Sequence, residues 1–412
     1  MRLPAVLREN ANFRRYYFGQ SISLLGDQIA GIALPLTAVL ALHATPGEMG
    51  AITTAYLLPN LLFSLHAGVW IDRRGRRRQA MLLADFGRGV LTATIPIAYA
   101  FGHLTWTQLY VVSFLLGTLS VVFYVAYGSV FQTIVPREDY VAANSLLNGT
   151  RGASFLVGNS LGGMLVQLLK GPYALAADAV SFFWSAAFLG RIDAEEPPGA
   201  SRESGGVWAG IQWIRGNAII RAELLGVATL NLFNFMFFAL FLLYATRALH
   251  INPATLGLVL GIAAGGTIAA SYFTGAISRR FGVGPTFILG CFLFPAPLIL
   301  IPAASGPHWL VIGFLGVAEL LSGIGLMLLD ILAGVIMSST IPMAMRARVA
   351  GGFQLVNYGV RPVGTALGGA LGATIGVHTT LWIATVGALL GLLFLVPSPI
   401  RTMREVPEVG EP

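Results

Sequence analysis

The sequence predicts an all-α membrane protein with about twelve transmembrane helices, and its composition and apolar runs carry the prediction. The chain has 412 residues, of which 56% are hydrophobic and only 10% are charged. Its mean hydropathy is +0.75. Soluble domains contain roughly 45–50% apolar residues. Apolar runs of about 20 residues recur along the whole length, and a helix of that length crosses a bilayer core of roughly 30 Å.

Apolar runs bounded by turn residues define the individual spans. In the first half of the chain the approximate spans are residues 14–42, 49–71, 80–101, 107–135, 142–169 and 172–191. In the second half they are residues 221–248, 254–278, 285–303, 309–340, 348–374 and 377–397.

Positive charge predicts how this chain is threaded through the membrane. With the N-terminus inside, the inner loops and tails contain twenty of the twenty-five Lys and Arg residues, whereas the outer turns contain only Lys170 and Arg247. Cytoplasmic loops carry such an excess of bases. We therefore expect a multi-pass protein of the cell membrane with both termini in the cytoplasm. The basic N-terminus lacks a cleavage site and is interpreted as a cytoplasmic cap on the first span, not a signal peptide.

The segment between the sixth and seventh spans divides the chain. Residues 192–220 begin with Pro197, Pro198 and several Gly and Ser residues, which is typical of a flexible linker. Apolar residues then recur at helical spacing and predict a short interfacial helix: Val207, Trp208, Ile211 and Ile214. The predicted domains are an N-terminal six-helix bundle at 1–191, this cytoplasmic linker at 192–220, and a C-terminal six-helix bundle at 221–412.

The two halves repeat each other. The stretch LHATPGEMG at 42–50 matches LHINPATLG at 249–257, and at the same offset Asp27 corresponds to Asn234. Duplicated six-span units occur in transporters that hold their substrate between the halves near the membrane midplane. The sequence therefore predicts two pseudo-symmetric bundles.

The loop after the second span has a recognisable pattern, GVWIDRRGRRR at 68–78. It resembles the signature loop of the major facilitator superfamily, and the resemblance in architecture covers essentially the whole chain. The resemblance implies that Asp72 holds the cytoplasmic side closed by contacting a helix N-terminus of the other half. A small residue at Gly68 is expected to let helices approach closely. The residues assigned to this conformational latch are Gly68, Asp72, Arg73, Gly75, Arg76, Asp85 and Arg88. The alternative is a solvated loop that only sets topology.

Two glycine-rich stretches and three further segments indicate which group of the superfamily the chain resembles. GNSLGG in the fifth span is similar to a stretch of drug:proton antiporters, with Asn159 in place of the expected Pro, and GTALGG in the eleventh span repeats it. The glycines also suit simple tight helix packing; they are Gly158, Gly162, Gly163, Gly364, Gly368 and Gly369. FGQSISLLGDQIAGIALPL, VPREDYVAANSL and AADAVSFFWSAAFL resemble the group that includes macrolide and enterobactin exporters. The basic residue that many exporters carry in the fourth span is absent.

Ionisable residues inside spans are costly and are candidates for function. Asp27 lies about 13 residues into the first span, roughly 20 Å from its inner edge. The predicted proton-coupling or substrate-cavity residues are Asp27, Gln28, Asn234, Glu319, Asp330, Arg361 and Arg151. Arg361 is interpreted as the counter-ion of an acid in the second half, and Arg151 as that of the first half. Permanent structural ion pairs are the alternative for each.

These features predict a secondary transporter that exports amphipathic, drug-like compounds in exchange for protons. A dedicated exporter of one metabolite such as a siderophore remains open, and a membrane-embedded enzyme is the alternative of another class. We find no motif of a nucleophile, metal site or phosphate-binding loop. The expected partners are a small-molecule substrate and the lipid bilayer, without nucleic acid, cofactor or metal. The proton gradient is the expected driving force, and a monomer is the expected assembly.

Overall fold

A computed structural model describes residues 4–194, 196 and 206–405, and this part of the chain is built of helices without a strand. The first half contains α1 (Ala5–Glu9), α2 (Ala11–Ala41), α3 (Pro46–Arg74), α4 (Arg77–Ala100), α5 (Trp106–Ile134), α6 (Tyr140–Leu169) and α7 (Gly171–Gly190). The second half contains α8 (Gly206–Gly216), α9 (Ala218–Arg247), α10 (Pro253–Phe281), α11 (Val283–Leu293), α12 (Leu300–Ala303), α13 (His308–Thr340), α14 (Arg346–Thr374), α15 (Val377–Ala388) and α16 (Leu392–Leu395).

The twelve predicted spans correspond to helices within a few residues at each end, and the all-α membrane fold is confirmed. In the described part of the chain, ten segments are long and apolar enough to cross a membrane. The other two spans are the 29-residue helices α3 and α14. Asn10, Thr105 and Asn217 accept hydrogen bonds from backbone amides at the starts of α2, α5 and α9. These side-chain caps explain why the helices begin there.

The ninth and twelfth spans are interrupted, which the sequence analysis did not predict. A 3₁₀ turn at Ala296–Ile299 separates α11 from α12, and another at Leu389–Gly391 separates α15 from α16. The first break contains Pro295 and Pro297. Proline has no amide hydrogen to donate and clashes with the preceding turn, so the α-helix changes to a tighter winding there.

The chain forms two compact units. Unit 1 comprises Met1–Ala44, Ala55–Arg202 and Asn252–Leu258, and unit 2 comprises Thr45–Thr54, Glu203–Ile251 and Val259–Pro412. These limits differ from the predicted domains because the first turns of α3 belong to unit 2 and those of α10 to unit 1. The helix ends approach their neighbours through glycine: a Cβ added at Gly369 would lie 2.8 Å from Cα of Gly50, and one at Gly163 would lie 2.8 Å from Cα of Gly257.

The short linker helix α8 belongs to unit 2 and packs on the first turns of α14. Ile214 is 3% exposed, whereas Trp208 is 64% exposed. A Cβ added at Gly352 of α14 would lie 3.1 Å from Cγ1 of Ile211. Val207 and Ile211 of the predicted stripe therefore face α14 and Ile214 is buried, whereas Trp208 is exposed.

The six glycines of the two repeated stretches all lie where helices approach closely. In α6, an added Cβ at Gly158 would lie 2.6 Å from Cβ of Gln28. In α14, one at Gly368 would lie 2.7 Å from the carbonyl oxygen of Met236. Close backbone approach requires residues without a side chain. The neighbours of the other four are Ile29 for Gly162, Pro253 for Gly163, Leu232 for Gly364 and Gly50 for Gly369.

Candidate functional site

Arg88 of α4 is the centre of a buried charge cluster in unit 1. Its side chain is 2% exposed and donates a hydrogen bond to Asp85, one turn earlier and fully buried. The guanidinium lies 4.2 Å from the ring centroid of Phe123 and 4.3 Å from that of Phe182. The two rings therefore pack against the cation, and its terminal Nη1 and Nη2 groups face acids.

Asp27 of α2 is the second acid beside Arg88. Its Oδ1 lies 4.0 Å from Nη1 of Arg88, and its side chain is 26% exposed, whereas Asp85 is fully buried. Asp27 is thus the carboxylate of this pair that a solute can reach. The sequence analysis interpreted Arg151 as the counter-ion in the first half. In the structure Arg151 is exposed, and Arg88 is the arginine that lies beside Asp27.

Asp178 of α7 adds a third carboxylate. It is 2% exposed, and its Oδ1 accepts a hydrogen bond of 3.3 Å from Ser181. A Cβ added at Gly26, the residue before Asp27, would lie 2.7 Å from the same Oδ1 of Asp178, and the two acids interact electrostatically. Among the described residues, the cluster therefore has three carboxyl groups and one guanidinium. Such an excess of buried acid is costly unless protons or a bound cation compensate it.

Asp85 and Arg88 were assigned to the loop latch from the sequence, and the structure places them elsewhere. Both side chains lie with Asp27 in the interior of unit 1. The prediction failed because the two residues are close to the loop in sequence, whereas α4 directs their side chains into the interior of unit 1. This arginine and the three acids form one site.

Gly68, Gly75 and Arg76 are the members of the predicted latch that the structure describes in the loop. Among the described residues, a Cβ added at Gly68 would meet nothing within 4 Å. Gly75 has φ of 63°, a conformation that favours glycine. Arg76 is exposed. The side chains of Asp72 and Arg73 lie outside the described residues, and their latch role stays a prediction.

Within unit 1, hydrogen bonds in both directions join the start of α4 to the end of α7 and the residues that follow it. We call this arrangement the clamp between α4 and α7. The carboxylate of Glu196 accepts hydrogen bonds of 2.5 Å from the backbone amides of Arg77 and Arg78. The Arg78 guanidinium donates to the carbonyl oxygens of Leu189, Gly190 and Ile192. An anion thus caps a helix N-terminus and a cation caps a C-terminus, as the helix dipoles favour.

Arg361 of α14 is the charged centre of unit 2. Its guanidinium lies 4.1 Å from the ring centroid of Tyr358 and 4.9 Å from that of Phe235. Asp330 of α13 is exposed and attracts Arg361 electrostatically, without an ion pair within 4.0 Å in the described part of the chain. The predicted pairing of Arg361 with an acid of α13 is therefore present only as a longer-range attraction.

The remaining predicted cavity residues are not drawn into these clusters. Gln28 packs against Gly158 of α6. Asn234 is half-buried in α9, whereas Glu319 of α13 is 9% exposed. Neither has a hydrogen-bond partner among the described side chains.

Glu223 of α9 is a buried acid that the sequence analysis missed. It is 0% exposed, and neither carboxyl oxygen has a hydrogen-bond partner in the described part of the protein. Cys291 of α11 is its electrostatic neighbour. The residue lies two positions inside the predicted start of the seventh span, where an acid is expected to be solvated.

Comparison with known proteins identifies the family. The model of the Major Facilitator Superfamily matches residues 16–220 and 224–411. The chain belongs to the Major Facilitator Superfamily. It is therefore a multi-pass membrane transporter, and the resemblance stated from the signature loop is confirmed.

Curated relatives add a functional resemblance at low identity. The chain is 26% identical over 388 residues to the multidrug efflux pump Tap of Mycobacterium tuberculosis, covering 88% of this chain and 87% of Tap. It is 25% identical to the uncharacterised transporter YfiS of Bacillus subtilis, with 93% of each chain covered. Among solved structures, a bacterial homologue of the iron transporter ferroportin in an inward-facing state matches with a TM-score of 0.75 at 18% identity, over 96% of this chain and 99% of that one. This last likeness concerns the fold alone.

Proposed function

We propose that this transporter exports amphipathic cationic or neutral drug-like compounds in exchange for protons, by alternating access, with Asp27 as the coupling group. The excess of three carboxyl groups over one guanidinium around Asp27 is the observation that carries this proposal. The resemblance to the multidrug efflux pump Tap supports the direction and the substrate class.

In this proposal a proton and a cationic substrate compete for the carboxylate of Asp27. Arg88 is held by Asp85 and two rings, so it cannot leave when Asp27 changes its charge. A proton on Asp27 removes the negative charge that attracts a cationic substrate, and loss of the proton restores it. Binding of either one therefore opposes binding of the other. Combined with alternating access, such exchange moves protons inwards and compounds outwards.

The charge distribution of the sequence supports the orientation that this proposal needs. We place both termini and the 192–220 linker on the cytoplasmic side, where bases concentrate in membrane proteins. We also propose that a monomer is the transporting unit, since each bundle has its own buried core. The driving force is the proton gradient, without a cofactor.

Transport by purified protein in proteoliposomes tests the proposal. With an imposed pH gradient, the cationic dye tetramethylrhodamine methyl ester should move against its concentration gradient. Asp27→Asn should abolish gradient-driven movement, whereas the matched control Asp139→Asn, in the turn at Arg137–Asp139, should not. Gradient-driven movement at the wild-type rate in Asp27→Asn would contradict the coupling role.

The same assay distinguishes the second candidate function, a dedicated exporter of one metabolite. The panel should include macrolides and an iron-free siderophore beside the dye. Movement of several unrelated cations supports drug export. Movement of the siderophore alone would replace the drug-export proposal with the dedicated exporter.

A further inference from the structure

Each unit holds one arginine between two aromatic rings, and the two arginines differ in what their N–H groups meet. Arg88 in unit 1 lies between Phe123 and Phe182 and donates to Asp85, with Asp27 4.0 Å away. Arg361 in unit 2 lies between Phe235 and Tyr358. A guanidinium has five N–H donors in its plane, and a ring above or below the plane satisfies none of them.

The donors of Arg361 have no acceptor in the described part of the chain. The side chain makes no hydrogen bond and no ion pair within 4.0 Å there, and its Nε is buried without a partner. Asp330 exerts only a longer-range attraction. An arginine in a membrane span is costly unless an acceptor or an anion satisfies it.

Arg361 and the residues around it are less buried than Arg88 and its surroundings. Arg361 is half-buried, Tyr358 is 38% exposed and Asp330 is exposed, in contrast to the 2% exposure of Arg88. The neighbouring Asn231 donates a hydrogen bond of 2.6 Å to Oδ1 of Asn357. Arg361 thus packs against two rings and remains partly exposed.

We propose that Arg361, held between Phe235 and Tyr358, binds an anionic group of the transported compound, with a carboxylate as the best fit. A carboxylate matches the fork of guanidinium donors with two parallel charge-assisted hydrogen bonds. The inference rests on the proposed export function and deepens it. It adds zwitterionic amphipathic compounds, which carry a carboxylate beside their cationic group, to the substrates. The aromatic rings of Phe235 and Tyr358 then provide the apolar surface beside the bound group.

Two dyes that differ in one group test this inference. Tetramethylrhodamine carries a free carboxylate, and tetramethylrhodamine methyl ester has that carboxylate blocked. Binding of each dye to purified full-length protein is measured by fluorescence anisotropy. Wild-type protein should bind both dyes. Arg361→Gln should weaken binding of the free acid about tenfold or more, since a charge-assisted pair is lost, and should change binding of the ester less than twofold.

Two further variants keep the result interpretable. Arg361→Lys retains the charge but not the planar fork, so its loss for the free acid should be intermediate; it also serves if Arg361→Gln does not fold. Arg280→Gln removes an exposed arginine that lies 5.4 Å from the ring of Phe281, and it should leave both affinities unchanged.

The outcomes separate this inference from the proposed function. Equal weakening of both dyes, or unchanged binding of the free acid in Arg361→Gln and Arg361→Lys, would overturn the carboxylate site while leaving drug export intact. Failure of wild-type protein to bind the free acid would do the same. Failure of wild-type protein to bind or transport either dye would overturn the proposed function itself.

Discussion

At the scale of the residue, a single guanidinium organises the acids of unit 1. Arg88 is fixed by two rings and by Asp85, and this leaves Asp27 as the accessible carboxylate of the pair. Removing one partner of a buried pair leaves an uncompensated charge and costs about 3–5 kcal/mol. Arg88 is therefore a residue that positions Asp27, and substituting it tests stability as well as transport. Asp27 is the better residue to change when transport alone is measured.

Glu223 makes a prediction about stability. Replacing a buried acid that lacks hydrogen-bond partners by an apolar side chain of similar size should stabilise the protein, because burial of an unpaired polar group is costly. We expect Glu223→Leu to raise the melting temperature of the purified protein. Glu223→Gln should raise it less, because a polar amide stays buried without partners. A clear fall in the melting temperature of Glu223→Leu would mean that the carboxyl has a partner.

The sequence identified Asp27 but not its partner, and it missed Glu223, for related reasons. Depth along a span can be counted from the sequence, so Asp27 was found near the midplane. The direction in which a helix points a residue depends on tertiary packing, which hydropathy does not encode. Arg88 was therefore assigned to the nearby loop, and Glu223, two residues from a span edge, was not considered as a buried acid.

At the scale of the element, glycines determine how closely α14 approaches α9. A Cβ at Gly364 would overlap the backbone carbonyl oxygen of Leu232, whereas one at Gly351 of the same helix would lie 3.5 Å from Cγ2 of Val207. Backbone cannot move aside as a flexible side chain can. These two positions form a matched pair.

We expect Gly364→Ala to lower the melting temperature and the yield of monodisperse protein, by an amount typical of overpacking, about 1–3 kcal/mol. Gly351→Ala should leave stability unchanged or slightly raised, since alanine is the better helix former by about 1 kcal/mol. Size-exclusion chromatography with a thermal melt measures both. Equal effects of the two substitutions would show that helix contact at Gly364 is looser than described.

The clamp between α4 and α7 makes a second prediction at this scale. Glu196→Ala removes the acceptor for the amides of Arg77 and Arg78 and should destabilise the protein by about 0.5–2 kcal/mol, as the loss of a helix cap does. Glu138→Ala, in the exposed turn at Arg137–Asp139, is the control and should have little effect. Because the cap is partly electrostatic, the effect of Glu196→Ala should shrink at high salt. An unchanged melting temperature for Glu196→Ala at low salt would exclude the clamp.

The number and order of the spans could be predicted because apolar length is a local property. The breaks in the ninth and twelfth spans could not be located in this way, since an interrupted helix has the same hydropathy as a continuous one. Pro295 and Pro297 were the available signal for the first break. For the break at Leu389–Gly391 no proline is present, and the sequence offered no comparable signal.

At the scale of the whole molecule, the duplicated halves carry different chemistry. The repeat places Asp27 opposite Asn234 in sequence, and the units differ in the same way around their arginines. In unit 1 the acids exceed the guanidinium, and in unit 2 the guanidinium of Arg361 is without a close acid in the described residues. Fold and family follow from the sequence pattern and the family match. The division of chemical roles is our proposal, and it rests on the side chains.

Proton release on substrate binding tests the central claim, exchange of a proton for a cation at Asp27, most directly. Tetramethylrhodamine methyl ester is added to purified protein in weakly buffered solution, and the released protons are counted against bound dye. We predict that wild-type protein and the control Asp330→Asn release protons, up to about one per bound dye, and that their affinity for the dye rises with pH. Asp27→Asn should release none and lose this pH dependence. Release from Asp27→Asn equal to that of the wild type would contradict the claim.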